Sequence, residues 1–172
     1  MKRKKFRQNK LNKYRQNKLN KYRQNKLNKY RRAVFIVVYS TGKKGKIEYL
    51  ILKRKHHWKG WEFPKGGMNP NEKMESAAKR EVKEETGLVP RKIKKFSFSG
   101  KYLYKKKFSD RTGIIGQTFS LYAAEVRKGK VQIDKKEHSE YKWLRFEQAV
   151  KKVRFINQKK SLRIVEKWLK TK

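Results

Sequence analysis

Residues 66–88 read GGMNPNEKMESAAKREVKEETGL, and this segment holds five of the 14 acidic residues of the chain. Even scattering would place about two acidic residues in a segment of this length. From about Glu72 to Glu85 the pattern is typical of a helix, and Gly87 supplies a helix stop. The segment therefore predicts a helix on which negative charge has a specific use.

Three glutamates of this helix, Glu81, Glu84 and Glu85, fall within one arc of roughly 100°. The same arc carries small and apolar residues, namely Met74, Ala77 and Ala78. A solvated charged face would explain the opposite stripe of the helix but not these three carboxylates. Carboxylates that converge on a partly buried face repel one another unless a cation compensates them. Oxygen ligands alone favour a hard cation, and Mg²⁺ or Mn²⁺ fits best.

A second signal is Arg80, which directly precedes the glutamates and is placed to hydrogen-bond a carboxylate and hold its orientation. The whole segment resembles the complete Nudix box. The fixed positions of that box are filled by Gly66, Glu72, Arg80, Glu81, Glu84, Glu85 and Gly87. A match at all of these positions within one short segment is a highly specific signal.

The resemblance implies an α/β fold of the Nudix type, an α/β/α sandwich with a mixed sheet in which the box forms a loop, a helix and a loop. It also implies that Glu81, Glu84 and Glu85 are metal ligands, together with a backbone carbonyl at or beside Gly66. Enzymes of the family hydrolyse a nucleoside diphosphate linked to another group, by attack of metal-activated water on phosphorus. Either Glu81 or Glu137 is the expected general base, because family members differ in this carboxylate.

The similarity extends beyond the box. Residues 61–67, WEFPKGG, are similar to the segment that leads into the box in diadenosine polyphosphate hydrolases and bacterial RNA 5′-pyrophosphohydrolases. Gly116-Gln117 and Glu137-His138 show a weaker similarity to the same groups, and the resemblance covers about residues 33–169. It favours cleavage of a pyrophosphate bond in a diadenosine polyphosphate or at the 5′ end of RNA. The alternatives are an inositol-pyrophosphate phosphohydrolase and a catalytically silent Nudix-fold protein that binds RNA or the ribosome.

Five residues near the box are candidates for binding the substrate. Arg54 and Lys65 lie close enough in the sequence to line a phosphate channel, although each is more simply interpreted as ordinary surface in so basic a chain. Trp58, Phe63 and Tyr122 are candidates for stacking on a base, although aromatic residues near strands more often belong to a core.

The rest of the domain predicts strands and helices around the box. Strand-like segments occur at 33–39 and 47–52, which form a hairpin, and at 93–104, 114–126 and 141–144. Helical stretches follow at 147–155 and 161–169. Strands with interleaved helices indicate an α/β or α+β sandwich.

The N-terminal segment is low in complexity. Residues 1–32 contain fifteen Lys or Arg and no acid, and residues 7–30 repeat the octad RQNKLNKY three times. An eight-residue period carries its leucines around a helix, so no single buried stripe forms. We therefore expect a disordered basic arm over residues 1–32 and a Nudix hydrolase domain over residues 33–172. Cations with interspersed tyrosines suit contact with RNA or another polyanion, and the candidates are Arg7, Tyr14, Arg15, Tyr22, Arg23 and Tyr30.

Composition limits the class of protein further. The chain has a formal net charge of +38 and 35% hydrophobic residues, which predicts polyanionic partners and enough apolar material for one compact domain. The absence of cysteine excludes a disulfide scaffold and favours a reducing compartment. A cytoplasmic location is expected, with a nuclear or mitochondrial one as alternatives. The longest apolar run, residues 33–39, is too short for a transmembrane helix, so no membrane partner is expected.

Overall fold

The computed structural model describes residues 9, 12, 13, 15–17, 19, 30–42, 45–105 and 107–172. Before Tyr30, the described residues have helical backbone geometry and exposed side chains, and Arg15 is among them. The predicted nucleic-acid contacts Arg7, Tyr14, Tyr22 and Arg23 lie outside the described residues. Two compact units emerge, one that includes residues 102–117 and one formed by residues 32–101 and 118–172.

Within the described residues, the strands form a 7-stranded sheet. They are β1 (Tyr30–Thr41), β2 (Ile47–Arg54), β3 (Gly60–Glu62), β4 (Lys65–Gly67), β5 (Pro90–Leu103), β6 (Gly116–Val126) and β7 (His138–Leu144). Their order is β3-β2-β1-β6-β5, with β4 paired to β1 and β7 paired to β2. The helices are α1 (Met74–Thr86), α2 (Phe146–Lys152) and α3 (Ile156–Lys170), and Ser109–Arg111 form a 3₁₀ turn. In the described part of the chain, no helix has the length and apolar character needed to span a membrane.

The predicted hairpin of β1 and β2 is confirmed. The two strands pair antiparallel, with Tyr39 opposite Tyr49 and Thr41 opposite Ile47. Residues 33–39 are buried throughout, because protein covers both faces of the sheet at this central strand. The continuous apolar run in the sequence is therefore the signature of a strand enclosed on two sides.

Strand β1 begins earlier than the predicted domain. Tyr30 is its first residue, and the side chain is half-buried. A Cβ added to Gly116 would lie 2.9 Å from Cε1 of Tyr30, so the ring packs directly against that glycine. This position corrects the assignment of Tyr30 to the nucleic-acid arm, because its ring is used in packing at the start of a strand.

Helices cover both faces of the sheet, in agreement with the predicted α/β/α sandwich. On one face, α1 packs against β1 and β2 through a core of Val34, Ile36, Val38, Leu50, Leu52, Ala77, Ala78 and Val82. On the other face, α3 buries Leu162 and Val165, and its Trp168 meets Tyr39 edge-on with ring centroids 6.3 Å apart. Successive residues of β1 thus serve opposite layers. Helix α3 begins at Ile156, several residues before the predicted start.

The limits of α1 show where local sequence determines structure. Gly87 ends the helix as predicted, with a φ of 72° and an N–H that donates to the carbonyl of Lys83 at 2.8 Å. The helix begins at Met74 and not at Glu72. Glu72 instead closes a turn, because its carboxylate accepts the N–H of Asn69 at 2.9 Å. Its side chain therefore lies outside the helix and contacts Arg80.

Replacing Leu162 by alanine is expected to lower the free energy of unfolding by about 2 to 5 kcal/mol, because the side chain is fully buried and its truncation leaves a cavity. Ile156 in the same helix is 63% exposed, so Ile156→Ala is the matched control and should cost less than about 0.5 kcal/mol. Urea denaturation followed by circular dichroism measures both changes. Equal losses in the two variants would contradict the packing of α3 on the sheet.

Candidate active site

The box begins on a strand whose backbone touches the following helix. Strand β4 pairs with β1, with Gly66 opposite Val34, and this pairing fixes the β4 backbone. A Cβ at residue 66 would lie 1.9 Å from Oε2 of Glu81, so only glycine permits the observed approach. The carboxylate of Glu81 therefore rests against the backbone of β4.

Arg80 organises the outer part of the site. Its Nε donates to Glu72 Oε1 at 2.8 Å, and its Nη2 donates to Glu72 Oε2 at 2.9 Å and to the carbonyl of Gly67 at 2.8 Å. Its Nη1 donates to both Glu81 and Glu84 at 2.8 Å. Hydrogen bonds from Arg80 lower the pKa of Glu72 to about 2, and those carboxylates raise the pKa of Arg80. The expected contact of Arg80 with a carboxylate is confirmed, and it involves three glutamates.

Glu85 has a different environment from the other box glutamates. Its side chain is buried, and its Oε2 accepts the backbone N–H of Lys65 at 3.2 Å. Burial raises the pKa of Glu85 well above its ordinary value, the charge of Lys65 opposes this, and Glu62 and Glu81 raise the pKa further. The charges of Lys65 and Arg54 therefore only partly offset the burial of this carboxylate.

The residues of the box fit a hard divalent cation. Glu81 and Glu85 lie against adjacent residues of the β4 backbone, and the Glu84 side chain is 57% exposed beside Arg80. These side chains offer oxygen donors only, which Mg²⁺ and Mn²⁺ prefer. The burial of Glu85 close to Glu62 and Glu81 supplies a reason for a cation to bind, because buried carboxylates that repel one another are costly without added positive charge.

Glu137 lies beside Glu85 although it is distant in sequence. A carboxylate oxygen of each residue and a ring nitrogen of His138 all lie within 4.8 Å of one another. The loop before β7 makes this possible, because the N–H of Asp134 donates to the carbonyl of Glu85 at 3.4 Å. Nη1 of Arg54 holds the Glu137 carboxylate at 2.8 Å. Glu137, one of the two candidate general bases, therefore lies close to Glu85 of the box.

Sequence reasoning missed Glu62, which is fully buried at the end of β3. Its carboxylate lies 3.1 Å from Nη1 of Arg54 and 3.1 Å from Nζ of Lys65. Burial alone would raise the pKa of Glu62, but Lys65, His138 and Arg54 outweigh it and lower the pKa to about 2. The sequence did contain a signal for this residue. Glu62 is one of only 14 acidic residues, and an acid between two aromatic residues is a candidate for a buried charge.

The structure brings both predicted phosphate-binding cations to the site, and it packs the aromatic candidate Trp58 against Phe155. Arg54 is buried and Lys65 is half-buried, and each forms an ion pair with Glu62. Trp58 packs edge-on against Phe155 with ring centroids 4.7 Å apart. None of the contacts described for Trp58 is with a box glutamate.

Two predicted stacking residues belong to the core. Phe63 is fully buried and meets Phe35 edge-on with ring centroids 5.6 Å apart. Tyr122 is 3% exposed and packs in the cluster between the sheet and α1. The prediction that Phe63 and Tyr122 stack on a substrate base is wrong, because protein already encloses both rings.

Comparison with known proteins gives relatives of several named activities. The chain is 36% identical over 113 residues to 8-oxo-dGTP diphosphatase of Buchnera aphidicola, covering 63% of this chain and 75% of that protein. It is 31% identical over 120 residues to asymmetrical bis(5′-nucleosyl)-tetraphosphatase of Mus musculus, covering 67% and 76%. It is 27% identical over 138 residues to RNA pyrophosphohydrolase of Nitratiruptor, covering 77% and 89%.

Solved structures and a family model agree with these relatives. The crystal structure of a C. elegans Ap4A hydrolase binary complex superposes with a TM-score of 0.63 and 26% identity, covering 83% of this chain and 99% of that chain. The model of the NUDIX domain matches residues 29–164, a span that starts one residue before β1. With the box glutamates gathered on α1, the sequence match over this span shows that the chain belongs to the NUDIX domain family and is a Nudix hydrolase.

Proposed function

We propose that the protein is a divalent-metal-dependent pyrophosphohydrolase of nucleotide polyphosphates, with a diadenosine polyphosphate or the 5′ end of RNA as substrate. The observation that carries this proposal is that Glu81 and Glu85 lie against Gly66 and Lys65 of β4, with Glu137 within 4.8 Å of Glu85. Relatives named as a bis(5′-nucleosyl)-tetraphosphatase and as an RNA pyrophosphohydrolase support the two substrate classes.

The proposed metal ligands are Glu81, Glu84 and Glu85, together with the backbone carbonyl oxygen of Gly66. These residues would hold a divalent cation, which would supply positive charge to the pyrophosphate and lower the pKa of an attacking water. Arg80 orients two of the carboxylates through its hydrogen bonds at 2.8 Å, and so it is a positioning residue.

Glu137 is the residue we propose as the general base. Glu81 is held against Gly66 and accepts a hydrogen bond from Arg80, so its carboxylate is committed to its place in the box. Glu137 approaches the same centre from the loop before β7 and is 36% exposed, which allows a water molecule to reach it. Lys65, which lies between Glu62 and Glu85, supplies positive charge for the phosphates.

A catalytically silent Nudix-fold protein is the competing interpretation, and the geometry of the box argues against it. A protein that only used the fold would have no need for a buried Glu85 with a raised pKa or for an arginine bound to three glutamates. The inositol-pyrophosphate alternative shares the same metal chemistry, so only the substrate distinguishes it.

A product analysis tests the proposed function directly. Purified protein is incubated with Mg²⁺ or Mn²⁺ and with diadenosine tetraphosphate, triphosphate-ended RNA, capped RNA, 8-oxo-dGTP and an inositol pyrophosphate in parallel. We expect the highest kcat/KM for the dinucleotide or the triphosphate-ended RNA. Selective turnover of the inositol pyrophosphate would replace the substrate assignment, and turnover of none would contradict the proposed function.

Glu85→Gln is expected to lower kcat by at least about a hundredfold, because a neutral amide cannot balance bound cations during phosphoryl transfer, and Glu84→Gln should act in the same direction. Glu75→Gln is the matched control, since Glu75 lies on the same helix and pairs with Lys79 at 2.7 Å on the exposed side. Its kcat should stay within about twofold of the parent value. Initial rates with saturating substrate measure the three variants, and comparable rates for all would contradict the role of the box.

Chelation provides an independent test of the metal. EDTA should abolish hydrolysis of a small dinucleotide, and added Mg²⁺ or Mn²⁺ should restore it. Zn²⁺ at the same concentration should restore less activity, because the box offers only oxygen donors. Hydrolysis that persists after exhaustive chelation would rule out a metal role for Glu81, Glu84 and Glu85.

We also propose that the basic arm binds RNA or another polyanion. Deletion of residues 2–28 removes twelve Lys or Arg and leaves β1 intact, so hydrolysis of a dinucleotide should be unchanged. If about five of these cations neutralise phosphates, the slope of log affinity against log salt for single-stranded RNA falls by about 3.5. RNA binding by both proteins across a salt series measures the slope. Identical slopes would show that the arm does not contact RNA.

A further inference from the structure

One buried acid near the active site has no part in the chemistry described so far. Glu62 is fully enclosed, and groups from four other segments surround its carboxylate. Nη1 of Arg54 and Nζ of Lys65 each lie at 3.1 Å, and Nε2 of Gln158 donates at 3.4 Å. Nε2 of His138 is 3.7 Å away, which is longer than a hydrogen bond. Strands β2, β4 and β7 and helix α3 therefore meet at one carboxylate.

Stability alone does not account for this cluster. Burying several charges costs free energy that their mutual attraction only repays with good geometry, and an apolar cluster of similar volume is often as stable or more stable. The side-chain exposure of Arg54 is 3% and that of Glu62 is 1%, so both ions are taken out of water. The Glu62 carboxylate can instead serve to orient the side chains of Arg54 and Lys65.

Both cations that pair with Glu62 belong to residues that contact the proposed active site. Arg54 pairs with Glu137, and the backbone N–H of Lys65 donates to Glu85. The same Nη1 of Arg54 that contacts Glu62 also contacts Glu137 at 2.8 Å, and Nε of Arg54 donates to the carbonyl of His56 at 2.9 Å. Three acceptors thus determine the plane of the guanidinium. Without Glu62, the guanidinium would be oriented only by Glu137, which is 36% exposed, and by the carbonyl of His56.

We infer that Glu62 is a positioning residue that holds Arg54 against Glu137 and thereby keeps the Glu137 carboxylate beside Glu85. The inference rests on the proposed function, in which Glu137 is the general base. Glu62 itself touches no reacting atom, because its carboxylate is buried behind Arg54 and Lys65. Its effect on turnover therefore passes through the cations that it holds, and the inference assigns the effect on kcat to Arg54 and Glu137.

A double-mutant cycle on kcat tests this dependence. Glu62→Gln alone should lower kcat by about 10 to 100-fold, which is the usual effect of removing a residue that orients a ligand or base. In the Glu137→Gln background the same change should lower kcat by less than about twofold, because the group that Glu62 positions is already lost. Multiplicative losses in the double variant, or parent kcat in Glu62→Gln, would overturn the inference.

Glu166 offers a matched control for the cycle. Its side chain is 12% exposed, it accepts a hydrogen bond from Tyr49 and pairs with Lys170 at 3.0 Å, and it lies on α3 away from the box. Glu166→Gln should leave kcat within about twofold of the parent in both backgrounds. Thermal melting shows whether each variant is folded. If Glu62→Gln does not fold, Glu62→Asp enters the same cycle, since it keeps the charge that Arg54 and Lys65 require.

A crystal structure of the Glu62 variant gives a readout that does not depend on activity. Nη1 of Arg54 should lie more than about 4 Å from Glu137, the usual limit of an ion pair, in place of 2.8 Å. An unchanged distance would overturn the inference whatever the rates show. Lack of turnover by the parent protein would contradict the proposed function and leave this structural result to decide on Glu62.

Discussion

The approach of the Glu81 carboxylate to the backbone of Gly66 is the contact on which the active site depends. A Cβ at residue 66 would lie within 2.0 Å of three atoms of that carboxylate group. The obstructing atoms are the end of a flexible side chain, so a larger residue would displace the carboxylate more easily than the strand. The glycine is therefore needed for the position of the Glu81 carboxylate, the proposed metal ligand, more than for the stability of the sheet.

Two arginines divide the acids of the site between them. Arg80 binds the outer carboxylates, which belong to Glu72, Glu81 and Glu84. Arg54 binds the inner pair, Glu62 and Glu137. Glu85 lies between these groups, and the hydrogen bond described for its carboxylate comes from the backbone N–H of Lys65. The protein thus pairs the surrounding acids with its own arginines, whereas burial and the neighbouring carboxylates keep the pKa of the central acid raised despite the charges of Lys65 and Arg54.

Local features were predictable from sequence, and features set by distant segments were not. The end of α1 at Gly87 depends on one residue with a positive φ, and the glutamates of the box depend on spacing along one helix. Phe63 was wrongly assigned to base stacking because its burial depends on Phe35, which lies on another strand and cannot be identified as its neighbour from local sequence. Glu62 was missed because its partners come from β2, β4, β7 and α3, which no local pattern brings together. The start of α1 was misplaced for a related reason, since Glu72 is committed to Arg80.

The chain as a whole is strongly basic, whereas its active site contains several carboxylates, and this difference in charge bears on how substrates are selected. A net charge of +38 attracts any polyanion and raises the rate of encounter, but it distinguishes poorly between RNA, nucleotides and other phosphates. The carboxylates of Glu81, Glu85 and Glu137 repel the same phosphates at close range. Under the proposed function, a divalent cation would offset this repulsion for a phosphate group that binds with it. Selection would then take place at the carboxylates of a basic protein, where binding of the substrate and binding of the metal would favour each other.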